Sequence, residues 1–516
     1  MAELLLPHAG NRPDEAALTD EWGTTTWGEL NVRVNRLIDA LRGLGLGIDD
    51  AIAIHSGNRR EYFELMTAAS HCGLRYVMVN WHWTADELRY VLEDSGTSVL
   101  FSEDAFAGIA MEAAEDVDLK LRVALGGEIN GFTPYEEFVA TGDQAEPADQ
   151  SLGIPMIYTS GTTGRPKGVT RSILKSGGPV LTIDLIGQVF AQIFFIPEKG
   201  RSLLVGPVYH SAQWLWSWVL MTVGRSVVMR QNWDPAEALR LIDEYQITNV
   251  HLVPTQFVHL LRLPAAQREA FDGSSLAAVW HGAAPCSPEI KRRMIDWLGP
   301  IVHEYYGSTE ASVNTVITAE EWLKRPGSVG RPLPTTEVSI LLADGTPAAV
   351  GERGQLWFKY TSGDDVEYWG DEEKTKSIHR DGGLFTTGDI GYFDEEGYLF
   401  LADRAIDMII SGGVNIYPAE IEGVLITHPA VRDVAVFGVP DEEFGESVKA
   451  AVELVEGVEP TPELIDELVA HCRSLLAGYK APRTIDFIDE MPRTPTGKLY
   501  KRLLRDPYWA DRSTSI

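Results

Sequence analysis

The sequence predicts an α/β fold: a large N-terminal domain of layered α/β sheets with a β-rich subdomain, then a small α+β C-terminal domain. Three observations carry this. From about residue 27 to residue 300, short runs rich in β-branched residues alternate with segments of helical period. From 327 to 403, glycine turns and short strand patterns take over. After 404, strand-like runs mix with one long helical segment. A length of 516 residues suits two unequal domains and a large core.

In chain order, residues 51–54 (Ala-Ile-Ala-Ile) read as a buried strand and 60–72 as the helix after it. Residues 76–79 form the next strand, 85–94 the next helix and 98–101 a further strand. Strands joined through helices pair in parallel, because the crossover returns the chain to the same end of the sheet. The stretch 180–197 is apolar but contains Asp184, Gln188 and Gln192. It reads as a helix buried on one face, compatible with peripheral membrane contact on the other. Strands at 202–205, 226–229, 249–253 and 277–280 continue the α/β rhythm. Segments 338–342, 355–358, 391–393 and 398–401 form the β-rich subdomain. The expected division is an N-terminal domain over 1–403, a hinge over 404–407 and a C-terminal domain over 408–516. That last domain holds strands at 434–439 and 449–454, a helix at 462–476 and a Pro/Thr/Gly loop at 492–498.

Composition excludes several function classes. Hydrophobic residues make up 44% and charged residues 23%, as in an ordinary globular chain. A formal net charge of −31 argues against nucleic acid and against unaided adsorption to anionic lipid. Anionic small substrates stay open, since a few cations dominate the field of a cleft. Cys72, Cys286 and Cys472 are widely spaced, with no metal or disulfide pattern, which fits a reducing cytoplasm. No signal peptide and no uninterrupted apolar run of about 18 residues is found.

The chemistry concentrates in residues 158–169, Tyr-Thr-Ser-Gly-Thr-Thr-Gly-Arg-Pro-Lys-Gly-Val, after the apolar run 154–157. Glycines bare the backbone N–H groups, hydroxyls add donors and Lys167 adds a cation, a composition suited to phosphate. It is not a Walker A loop: two residues separate Gly164 from Lys167, and Gly168 stands where Ser or Thr is required. Four further segments follow. His281-Gly282-Ala283-Ala284-Pro285 has small residues against which a flat ring can lie. Tyr305-Tyr306-Gly307-Ser308-Thr309-Glu310 offers an aromatic face, hydroxyls and a carboxylate. His303-Glu304 lacks the second histidine of a zincin. Thr386-Thr387-Gly388-Asp389 puts a carboxylate in a turn, and Lys498 stands on the 492–498 loop. Taken singly, each has a plain structural reading: an Asx turn at Asp389, core packing for the tyrosines, a solvated charge at Lys498.

In this order the segments resemble those of the adenylate-forming superfamily: acyl-CoA synthetases, adenylation domains of peptide synthetases and beetle luciferases. The likeness spans roughly residues 15 to 505 and is most specific over 401–422. It implies that ATP is bound by Thr159, Ser160, Gly161, Thr162, Thr163, Gly164 and Lys167, by Gly282, Ala283, Ala284 and Pro285, and by Tyr305, Tyr306, Gly307, Ser308 and Thr309. Asp389 resembles the ribose-binding aspartate, Arg404 an arginine contacting phosphate or ribose, and Lys498 the catalytic lysine. Magnesium falls to Thr159 and Glu310. Lys498, Glu310, Lys167 and His210 are the catalytic residues the resemblance implies.

The first half-reaction fits this set. An ionised carboxylate attacks the α-phosphorus of ATP without a general base, provided charge is neutralised on the transferring group and on departing pyrophosphate. The family implies that the C-terminal domain then rotates. Lys498 withdraws, and Ser411, Gly412, Gly413 and Tyr417 line a channel for the pantetheine of CoA. Where the family hinge is usually Asp or Lys, this chain has Ile406.

The acid pocket is expected around His210, Trp214, Thr255 and Gly282. Pro207-x-x-His210-x-x-x-Trp214 resembles bacterial fatty acyl-CoA synthetases, in which the tryptophan gates an acyl tunnel. Core packing of Trp214 on Trp218, one helical turn away, is the equal alternative. The expected function is therefore ATP-dependent, magnesium-assisted activation of a hydrophobic acid, first of all a fatty acid, through an acyl-adenylate. Thioester formation with CoA then releases AMP. The alternative is an adenylating amide-bond synthetase or stand-alone ligase that passes an aryl or polycyclic acyl group to an amine or carrier-protein thiol. A nucleotide-binding protein without turnover is disfavoured by retention of Lys167 and Lys498. The family is compatible with a homodimer.

Overall fold

The structure, a computed structural model, describes residues 2–159, 165–404, 407–411, 414–441, 444–493 and 499–510, with 403 and 404 described by their backbone alone. Among the described residues three sheets organise the chain. In the first, Ser226–Met229, Arg201–Leu204, Asn249–Leu252, Ala278–His281 and Val302–Ser308 run parallel and side by side. Val302–Ser308 then pairs antiparallel with Ser312–Ile317, and the sheet continues into the β-rich part through Ser328–Pro332, Leu399–Arg404, Asp389–Phe393 and Gly354–Tyr360. The second sheet has a parallel centre of Arg75–Met78, Ala51–His55, Thr97–Glu103 and Leu121–Leu125. Ile154–Thr159 extends it in parallel, then pairs antiparallel with Lys167–Arg171. The third sheet, within the C-terminal domain, is built on the antiparallel pair Val431–Asp441 and Gly445–Leu454.

Local sequence explains the helices between the strands. Trp27–Gly43 and Ala85–Asp94 start in capping boxes, Thr26 with Glu29 and Thr84 with Glu87, which satisfy otherwise orphaned N–H groups. Their apolar faces, Leu30, Val34, Leu37 and Leu41 in the first case, enter the core. The expected strands and helices of the α/β region all occur, with ends shifted by a residue or two. The 180–197 helix is shorter than its apolar run: it spans Leu181–Ile193, and Phe195 takes φ 55°. Ile183, Gly187 and Phe190 are buried on one face, while Leu181, Leu185 and Val189 are exposed on the other. No helix among the described residues is long and apolar enough to cross a membrane.

Parallel strands that end on the same side place their following loops together, where α/β proteins hold ligands. Here a cavity of ≈ 530 Å³ opens at those ends, lined by Asn80, Trp81, Pro207 and Trp233, with Arg493 and Tyr500 of the C-terminal domain on its far side. The two domains touch elsewhere too. Arg262 donates to the carbonyls of Val431 and Arg432, and Ser287 Oγ to that of Gly423.

Candidate active site

The two ends of the 158–169 segment pair antiparallel, with Thr159 opposite Lys167. This paired base is anchored: Tyr158 Oη donates to Asp94 Oδ2 at 2.6 Å and Trp369 Nε1 to the Asp94 carbonyl at 3.0 Å. Arg75 lies over the Trp369 ring at 4.2 Å. Lys167 is ion-paired with Asp371. Ser160, Gly161, Thr162, Thr163 and Gly164 lie outside the described residues.

The end of Val302–Ser308 divides the site. Successive side chains of a strand point to opposite faces, so Tyr305 and Tyr306 part company. Tyr306 Oη donates to Asp389 Oδ2 at 2.5 Å, and Thr387 Oγ1 donates to the same oxygen at 2.7 Å. The buried Asp389 carboxylate is therefore fixed in place by two hydroxyls. Glu310 follows at the turn, its carbonyl accepting from Arg171 at 2.7 Å and its carboxylate from Tyr368 Oη at 3.3 Å. Gly307 and Ser308 lead to Thr309, whose Oγ1 is 3.1 Å from Ser211 Oγ, next to His210. Among the described residues no group of three or more His, Cys, Asp or Glu is gathered to hold a metal. A lone carboxylate such as Glu310 suits magnesium, which takes one or two protein carboxylates and completes its shell with phosphate oxygens and water.

Gly282 ends the strand Ala278–His281 and is buried. A Cβ there would stand 2.6 Å from the Tyr305 ring, so only glycine lets that ring lie against this backbone. Ala283 has φ 65°, a left-handed conformation costing a non-glycine residue about 1–2 kcal/mol. The turn 282–285, completed by Ala284 and Pro285, is thus held in a shape its sequence does not prefer. Thr255 lies in the first turn of Pro254–Leu261, half-buried.

His210 precedes the short helix Ser211–Trp214, which passes into a π-helical turn, Leu215–Val219. Trp214 stacks on Trp218 at 5.5 Å within the largest core cluster. Trp216 faces the other way, 4.7 Å from the rings of both Tyr305 and His251. His251 bridges Gln213 and Tyr305, with Nδ1 3.0 Å from Gln213 Nε2 and Nε2 3.0 Å from Tyr305 Oη. Sequence reading gave no role to Gln213 or His251. A single histidine within the apolar strand Asn249–Leu252 was the one available signal, and alone it looks like a satisfied core residue.

Behind this wall Lys291 Nζ and Glu304 Oε2 form a buried pair at 2.5 Å, with His281 Nε2 3.5 Å from the same oxygen. Burial pushes the Lys291 pKa down and that of Glu304 up, and it holds His281 well below its ordinary value.

In the C-terminal domain, Ser411 pairs with Val414, and Tyr417 is buried with Arg353 4.6 Å over its ring. Arg493 is held by Asp433 at 2.5 and 2.7 Å. Gly412, Gly413, Ile406, Lys498 and the side chain of Arg404 lie outside the described residues. Arg493 and Tyr500, which bracket Lys498 in sequence, line the cavity at the strand ends.

With this geometry in view, the chain was compared with known proteins. Residues 6–362 match the family described as AMP-binding enzyme, and residues 420–498 match its C-terminal domain. A fatty acid–[acyl-carrier-protein] ligase of Streptomyces coeruleorubidus is 32% identical over 525 residues, covering 99% of this chain and 96% of the relative. A feruloyl-CoA synthase of an Amycolatopsis species is 34% identical over 502 residues, covering 96% of each. Among solved structures, the amide bond synthetase McbA from Marinactinospora thermotolerans superposes with a TM-score of 0.83 at 27% identity, covering 98% of this chain and 99% of that one.

Proposed function

Because the chain belongs to the AMP-binding enzyme family of ATP-dependent, adenylate-forming ligases, we propose that it activates a hydrophobic carboxylic acid as its acyl-adenylate and transfers the acyl group to the thiol of CoA. One observation carries this reading: the turn after Val302–Ser308 draws two carboxylates, Asp389 and Glu310, toward the start of the His210 helix, through Tyr306–Asp389, Tyr368–Glu310 and Thr309–Ser211.

Asp389, preset by Tyr306 and Thr387, accepts hydrogen bonds from the ribose hydroxyls. The ring of Tyr306 and the backbone of 282–285 hold the adenine. Residues 160–164 and Lys167 grip the β- and γ-phosphates, and Lys167 exchanges Asp371 for phosphate oxygens as they arrive. Glu310 and Thr159 hold magnesium, which neutralises charge on the phosphates when bound. Lys498 enters from the C-terminal domain and stabilises the charge that develops as the carboxylate attacks and pyrophosphate leaves. Residues 408–516 then turn about 404–407, and Ser411, Gly412, Gly413 and Tyr417 admit the pantetheine arm. Three cysteines, all free, suit the cytoplasm as the place of action.

Relatives named for fatty acyl and feruloyl groups, and a neighbour named for amide bonds, do not choose the acid or the acceptor. The buried ring cluster of Trp216, Tyr305, Phe194 and Trp280 supports a flat ring acid over an extended chain, because aromatic faces gain most from stacking and edge contacts. The test is a panel of fatty and aromatic acids with ATP and magnesium, followed by pyrophosphate release with and without CoA. Acid-dependent pyrophosphate plus CoA thioester is expected. Turnover that ignores CoA and requires an amine would replace thioester formation by amide synthesis.

A further inference from the structure

Tyr305 is buried against Gly282, Trp216 and Phe194. Its hydroxyl nevertheless has a polar support. An amide nitrogen only donates, so His251 Nδ1 accepts from Gln213 Nε2, and the proton of the neutral imidazole sits on Nε2. Burial keeps that ring neutral, its pKa lowered to about 3. Nε2–H therefore donates to Tyr305 Oη, and the phenol keeps its own proton to give. No acceptor for that proton is found among the described residues. The buried Trp216 Nε1 likewise has no hydrogen-bond partner among them. Trp216 also belongs to a π-helical turn, a form that recurs at functional sites.

Buried donors in proteins are almost always paired. Two unspent donors, in neighbouring rings beside Gly282, are accounted for by a ligand oxygen. We infer that Tyr305 is a specificity-determining residue, positioned by His251 and Gln213, that selects an aromatic carboxylate carrying a hydrogen-bond-accepting ring oxygen, hydroxyl or ether. An alkyl chain or a bare ring would leave both donors unpaired, which a site built around hydrogen bonds penalises. The inference rests on the adenylation reading above.

The test measures pyrophosphate release with ATP and magnesium for matched acids: cinnamate against its 4-hydroxy and 4-methoxy forms, benzoate against its hydroxy forms, and decanoate. Wild type, Tyr305→Phe and His251→Phe are compared. In wild type at least one oxygen-bearing acid should exceed its bare partner about 10-fold in kcat/KM, carried by KM, as one hydrogen bond warrants. Tyr305→Phe should shrink that ratio about 10-fold, and His251→Phe should shrink it in the same direction. A merely structural role would lower both members of a pair alike. Wild-type ratios near one, or decanoate ahead of every aromatic acid, overturn the inference even if neither variant folds. So does a Tyr305→Phe ratio equal to that of wild type. Absence of pyrophosphate with every acid is a distinct outcome and removes the adenylation reading itself.

Discussion

Lys291 Nζ stands 2.5 Å from Glu304 Oε2 in the core, on the face of the strand opposite Tyr305. Lys291 also lies 4.8 Å from the Trp322 ring, so its charge is shared between a carboxylate and an aromatic face. A buried pair is costly to assemble and costlier to break, because removing one partner strands the other charge. Lys291→Met should therefore lower stability by about 3–5 kcal/mol, measured by urea unfolding. The double variant Lys291→Met, Glu304→Leu should recover most of that loss. A double variant as unstable as the single one would mean that packing around Lys291, not charge, sets the cost.

Tyr306→Phe removes one of the two hydroxyls that fix Asp389. A hydrogen bond to a charged group contributes about 1.5–3 kcal/mol. The KM for ATP should rise roughly 10-fold or more, while the KM for the acid moves much less. Equal movement of both would place Asp389 outside the nucleotide site.

The contrast between Tyr305 and Tyr306 shows what was legible in the sequence. The glycine-rich loop and the order Gly282, Glu310, Asp389 were readable because motif spacing is a local property, whereas the strand Val302–Ser308 was not among those expected. The sorting of the two tyrosines follows from the pleat, but which face meets which partner depends on sheet order, and parallel pairing across distant segments leaves no local mark. His251 and Gln213 meet Tyr305 from 54 and 92 positions away, counted as 305 − 251 and 305 − 213. Trp214, read as either a gate or a core residue, packs on Trp218, while Trp216 lies against Tyr305. The left-handed φ of Ala283 was invisible, since alanine gives no signal for it.

Acid should destabilise the fold. His55, His71 and His303 are buried, and burial lowers each pKa from 6.5 to about 4. The unfolded chain takes up protons near pH 6.5 that the folded chain refuses until about pH 4. Stability is thus full above the unfolded pKa and is lost as pH falls through that window. Glu64 and Glu304, raised by burial, work in the opposite direction at lower pH and offset part of the loss. Urea midpoints measured at pH 7.5, 6.5 and 5.5 should fall in that order. A flat series would show that these imidazoles take up protons without unfolding.

Lys498 gives the sharpest test of domain alternation. In the adenylation step a cation is needed beside the α-phosphate only while charge builds there. In the proposed thioester step the leaving group is AMP, and the thiol would arrive through the segment 411–417 once the C-terminal domain has turned. Lys498→Ala should reduce acid-dependent pyrophosphate release by about 100-fold or more, the scale on which a preorganised electrostatic contact acts. Supplied acyl-adenylate and CoA should still give thioester within a few-fold of wild type. The reciprocal change, Gly413→Trp in the channel segment, should spare pyrophosphate release and block thioester formation by bulk. If Lys498→Ala reduces both half-reactions equally, one fixed arrangement of the domains serves both steps, and the turn about 404–407 is not part of the cycle.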